Sequence, residues 1–104
     1  MKSKFFAALV MMTLGLNASA SVCVSHEGAQ LTVEGQKVLS LTAPMAVTGE
    51  YGVTHLYSTA SGLSLGVHCE SQEQVWFNAA KSQVVVQCPG HTGVDYFVAA
   101  VSCK

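Results

Sequence analysis

Cysteine and histidine are the residues of this 104-residue chain best suited to chemistry, and there are four of each. Cys23, Cys69, Cys88 and Cys103 can form disulfides or supply thiolates, while His26, His55, His68 and His91 supply imidazole nitrogens. Two stretches bring both types together, His68-Cys69 and Cys88-Pro89-Gly90-His91. They hold the donors of a Cys₂His₂ zinc centre with one C-x-x-H half. The C-x₂-C spacing usual in such centres is absent, and no C-x-x-C-H occurs for covalent haem. An even cysteine count in an exported chain reads instead as two disulfides, which is the preferred reading. A second metal alternative takes His55, His68 and His91 as ligands of a transition ion. Spacing alone does not specify such a site, so the simpler expectation is four unrelated histidines, two at turns and two on a sheet face. No cofactor is expected.

Catalytic constellations are poor. The chain has no G-x-S-x-G, no H-E-x-x-H and no phosphate-cradling glycine loop. His91, Thr92 and Asp95 match a catalytic triad in residue type alone, and Glu70 and Glu73 read as solvated loop charges. With no assembled acid, base or nucleophile, the chain is read as non-enzymatic.

The compartment follows from the N-terminus. Lys2 and Lys4 precede an apolar run of 12 residues from Phe5 to Leu16, and Asn17-Ala18-Ser19-Ala20 ends in small residues. This is the layout of a signal peptide over residues 1–20, cut before Ser21. The run is short of the roughly 20 residues of a spanning helix, so no stable membrane anchor is expected. Cys23 follows Val22, three places past the cut, which does not fit a lipoprotein. Export to the periplasm or the medium is expected.

Residues 21–104 are then one small domain. They carry three lysines, no arginine and six carboxylates, a net charge of −3. Nucleic acid is an unsuitable partner, because phosphate binding draws on clustered Lys and Arg, and a membrane surface is disfavoured likewise. A basic protein remains compatible. A domain of this size buries only about 60–65% of its unfolded surface, which makes disulfide staples valuable.

The elements are read as strands around Tyr51–Cys69, a hairpin turning near Ala60-Ser61-Gly62 and ending in a cysteine. With Ser61-Gly62 as the turn, Leu56 meets Val67 and the face of Leu56, Leu63, Leu65, Val67 and Cys69 is buried. A three-residue turn pairs Tyr57 with Leu65 and turns the aromatic face inward; the first register is preferred because Ser-Gly suits a tight turn. Further strands are expected at 21–26, 30–33, 37–42, 75–77, 83–88 and 94–103, with 43–50 as irregular chain whose Met45 and Val47 cover the core. No stretch keeps a helical period. The expectation is an all-β fold, a small antiparallel β-barrel or sandwich of about seven or eight short strands, disulfide-stapled. A hairpin of 83–88 with 94–103 separates Cys88 from Cys103, so Cys69–Cys88 and Cys23–Cys103 are favoured.

Tyr51 and Tyr57, with Trp76 and Phe77, are the candidate binding residues, since exposed aromatic clusters mark interfaces; the plainer expectation puts these rings in the core. No family motif is matched. In architecture alone the layout resembles small periplasmic inhibitors, such as the lysozyme inhibitors of Gram-negative bacteria, and this carries over no residue. The leading expectation is an exported binding module whose partner is another protein, an enzyme it inhibits or a toxin it neutralises. The alternatives are a metal-binding protein using its histidines, and a component of a surface or secreted assembly that joins by strand addition.

Overall fold

The computed structural model describes residues 20–103; the expected signal segment lies outside the described residues except for Ala20, as does Lys104. Nine strands are described: β1 (Ser21–Ser25), β2 (Gln30–Glu34), β3 (Lys37–Leu41), β4 (Met45–Gly49), β5 (Gly52–Thr59), β6 (Gly62–Leu65), β7 (Gln74–Asn78), β8 (Gln83–Pro89) and β9 (Val94–Cys103). A 3₁₀ turn at Ala79–Lys81 links β7 to β8, with the Asn78 side chain accepting from the Lys81 N–H. Every pairing is antiparallel.

The order β3-β2-β1-β9-β4-β5-β6 makes a nearly closed barrel of seven strands, with the β7–β8 hairpin joined through β9. This decides between the expected barrel and sandwich. Strand β9 holds the assembly together: Val98 pairs with Val85 of β8 and with Thr48 of β4, and Cys103 pairs with Cys23 of β1. The Phe77 N–H donates to the Gln36 carbonyl at 2.8 Å, and the Ser58 hydroxyl to the Leu41 carbonyl at 3.4 Å. These bonds bring β7 and β5 toward β3 and narrow the gap.

Alternation of side chains fills the interior. Leu31, Met45, Val47, Leu56, Val84 and Val86 are fully buried, with Phe77, Phe97 and Val101 around them. The run Val84-Val85-Val86 behaves as a central strand must. Val84 and Val86 face the core, while Val85 lies on the outer face, flanked in register by Trp76 and Val98, and is still only 9% exposed.

Both disulfides have the expected pairing, Cys23–Cys103 and Cys69–Cys88. Cys23 and Cys103 stand directly opposite one another on β1 and β9, so the first bridge ties the terminal strands.

Two local expectations are corrected. Residues 43–50 are not irregular: Pro44 is followed at once by β4, which pairs with β5 along its whole length. Proline ends one ladder by lacking a donor, yet nothing prevents a new strand immediately after it. The hairpin turn is Ala60-Ser61, so Leu56 meets Leu65, and neither expected register occurs. The Thr59 hydroxyl donates to the Gly62 carbonyl and accepts from the Ser61 N–H, while Gly62 takes φ +131, a value that favours glycine. Relative to the preferred register the partner shifts by two residues. A shift of two preserves the faces, so Leu56, Leu63 and Leu65 still point inward and Val53, His55 and Tyr57 outward. Strand β6 ends at Leu65, leaving Val67 exposed and Cys69 in the following loop.

Gly49 is required for space. A Cβ there would come within 2.7 Å of the Phe97 ring and 3.1 Å of the Tyr96 carbonyl. Gly49→Ala is therefore expected to cost about 1–3 kcal/mol, the usual effect of overpacking. Urea unfolding checks this, and an unchanged midpoint would mean that the β4–β9 contact is loose.

Candidate functional site

The turns gather chemistry at one end of the barrel. Three connections meet there: residues 50–51 between β4 and β5, 66–73 between β6 and β7, and 90–93 between β8 and β9. The register places the first beside the third, because Thr48 pairs with Val98 and Pro89 with Val94. The loop 66–73 is held to β8 by the Cys69–Cys88 bridge and by the Glu70 N–H donating to the Pro89 carbonyl at 2.7 Å.

Charge separates along the barrel axis. Glu50, Glu70, Glu73 and Asp95, four of the six carboxylates, belong to this end, together with His68 and His91. The described lysines, Lys37 and Lys81, sit at the far end, where the β2–β3 and β7–β8 turns lie. Unopposed carboxylates on one surface favour a cationic partner and raise its encounter rate.

The same end is apolar at its tip. Tyr51 is 83% exposed, Val53 63% and Tyr96 52%, and Val67 and Val94 are also exposed. A recess of about 280 Å³ opens beside Tyr51, Val53 and Val67, which line it with His68, Asp95 and Phe97 among others. Exposed aromatic and aliphatic side chains gathered at one end of a small domain make it a candidate interaction surface.

The four aromatic candidates separate. Tyr51 lies in the turn before β5, not on it, and forms part of the exposed tip. Tyr57 is on the outer face of β5 and 37% exposed. Phe77 is in the core, and Trp76 is half-buried on the outer face in register with Val85. Along the sheet β7 is separated from β5 by β8, β9 and β4, so the Trp76-Phe77 pair does not join the two tyrosines. Tyr96 was the residue to add. Its alternation with Phe97 along β9 put it outside, but only the barrel places it beside the β4–β5 turn.

The cysteine and histidine candidates divide similarly. Both sulfurs of the imagined Cys₂His₂ set are consumed in the Cys69–Cys88 disulfide, so that set does not exist here. His55 is exposed on β5 opposite Ala46 and forms no ion pair among the described residues. His68 and His91 converge on a residue that the sequence placed in plain solvent: His91 Nε2 stands 3.0 Å from Glu70 Oε2, and His68 Nε2 3.7 Å from the same oxygen. The close partner of His91 is thus Glu70 rather than Asp95. Glu73 is no simple solvated charge either, since its carboxylate accepts from the Leu65 N–H at 3.0 Å. That N–H points away from β5, on the free edge of β6, so one of the few donors a visiting strand could use is already taken.

Comparison of the chain with protein-family models, with curated proteins and with solved structures finds no match.

Proposed function

We propose that this chain is an exported, non-enzymatic binding module that docks a cationic protein through the acidic, tyrosine-bearing end of its barrel. The observation that carries this reading is the exposure of Tyr51, Val53 and Tyr96 at the end where Glu50 and Asp95 lie and no described lysine does. Tyrosine supplies contact area at low entropic cost, and the carboxylates steer and orient the partner. Two disulfides in so small a domain are consistent with an oxidising compartment, the periplasm or the medium. The partner is an enzyme that the module inhibits or a toxin that it neutralises. The capped edge of β6 makes strand addition the weaker alternative.

The test uses the oxidised mature protein as bait in an extract of its own compartment, followed by titration of the purified partner. Tyr51→Ala and Tyr96→Ala are each expected to weaken binding by about tenfold or more, with folding stability within about 0.5 kcal/mol of the parent. Binding should also weaken as salt rises. Failure to capture any partner at micromolar concentration, or a partner indifferent to both substitutions, removes the proposal.

A further inference from the structure

The recess at the acidic end opens at the mouth of the barrel, and two oxygen-bearing side chains that line it have no partner. We infer that this recess is a pocket for one arginine side chain of the docked protein, with Asp95 as the carboxylate that takes the guanidinium. The inference rests on the protein-docking reading and names what the partner inserts.

Alternation along β9 places Asp95. Phe97 and Val101 are buried while Tyr96 and Ala100 are exposed, so Asp95 belongs to the inward set. In register it stands opposite Cys88, which is buried. Its carboxylate is therefore half-buried at the rim of the interior. Among the described residues it has neither an ion-pair partner nor a side-chain hydrogen bond. Thr54 on β5 lines the same recess and is only 8% exposed. Its hydroxyl likewise has no hydrogen bond among the described residues. Gly66 keeps the space beside that hydroxyl open, since a Cβ there would stand 2.8 Å from Thr54 Oγ1. Unpaired polar groups withdrawn from water carry a desolvation cost that a bound donor offsets. A guanidinium is all donors and no acceptor, which matches these two oxygens.

The walls choose among cations. Val53, Val67 and Phe97 line the recess with Tyr51, so its sides are aliphatic and aromatic. An arginine stem packs on aliphatic walls while its planar head stacks on an aromatic face, contacts that the compact, strongly hydrated ammonium of lysine makes less well. Glu50 also lines the recess and adds a second negative charge. The volume of about 280 Å³ falls below the usual range for an organic-ligand site and suits one long side chain.

The probe is Nα-acetyl-L-arginine amide, titrated into isotopically labelled, oxidised mature protein and followed by backbone amide shifts. Saturable shifts are expected at Val53, Thr54, Asp95 and Phe97, with a dissociation constant of about 1 mM, the scale for so small a ligand. The matched lysine amide should bind about fivefold more weakly, and the uncharged citrulline amide about tenfold. Asp95→Asn should weaken the arginine probe by about tenfold and Thr54→Val by about threefold, while Glu34→Gln at the far end leaves it unchanged. Urea midpoints show that each variant is folded, and the citrulline comparison needs no variant at all. No saturable shift below about 20 mM probe, or citrulline binding as tightly as arginine, removes the pocket. Lysine binding as tightly as arginine overturns the choice of side chain, and arginine binding that survives Asp95→Asn overturns the role of that carboxylate. None of these results touches the docking reading, which stands or falls on capture of a partner and its response to Tyr51→Ala and Tyr96→Ala.

Discussion

Replacing Cys23 and Cys103 together by alanine is expected to cost about 4–5 kcal/mol, the largest effect of any small change to this domain. The bridge closes a sequence separation of 80 residues, against 19 for Cys69–Cys88. In the chain-entropy account a crosslink stabilises by restricting the unfolded ensemble, and its contribution grows with the logarithm of the loop, so the shorter bridge is worth about 3 kcal/mol. Folded domains have only about 5–15 kcal/mol in total, and one this small sits toward the low side. Loss of the first bridge should therefore leave much of the protein unfolded at 37 °C, whereas loss of the second should leave it folded with a lower midpoint. Urea unfolding of the two double-alanine variants measures both. If the Cys69–Cys88 variant proved the less stable, the entropic account would fail here and the loop 66–73 would have to contribute through native packing.

Met45→Ala is the second large expected effect, about 2–5 kcal/mol. Met45 is fully buried, in register with Leu56, which is fully buried as well. Shortening the side chain leaves a cavity that the β4–β5 ladder, bonded on through Gly49 and Gly52, is poorly able to collapse. The result separates two views of residues 43–50. A methionine lying over the core from a flexible segment could be shortened at a cost of about 1 kcal/mol or less, because the segment would resettle. A methionine on a paired strand cannot be. Denaturant unfolding of this one variant discriminates between them, and a loss below about 1 kcal/mol would contradict the strand.

The segment shows why part of this fold is hidden at the level of residues. Met45-Ala-Val-Thr-Gly49 has one β-branched apolar residue and no strict alternation of apolar with charged groups, and it follows a proline. Its strand character comes from the neighbours: β5 on one side, and β9 through Thr48 and Val98 on the other. Strand propensity is largely a report of such surroundings. The hairpin register failed for a related reason. Several tight turns fit Ala60-Ser61-Gly62 about equally, and the hydroxyl bonds of Thr59 that favour one of them are visible only when the turn is built.

The candidate site divides along the same line. Tyr51 was read as a strand residue with Tyr57, and only the structure put it in the exposed β4–β5 turn; the pairing of the cysteines followed from hairpin lengths. Phe77 was not separable from Trp76 as an inward residue until the register with Val84 and Val85 assigned their faces. Glu70 carried no signal at all. It reads as a loop carboxylate, and its two histidine partners lie 2 and 21 residues away in the chain.

By itself, then, the amino-acid sequence determined the class of the domain: period-2 alternation, closely spaced turns and four cysteines in about 84 residues admit little but a stapled antiparallel β fold. These are local properties, set by backbone sterics and by which side chains suit a half-buried surface. The tertiary structure alone decided the rest. It put four carboxylates and Tyr51 and Tyr96 at one end with the described lysines at the other, and brought His68 and His91 to Glu70. The reason is physical. Charge neighbourhoods and side-chain pairs depend on which turns share an end of the barrel, and that depends on strand order and near-closure, the joint result of burying every inward face at once.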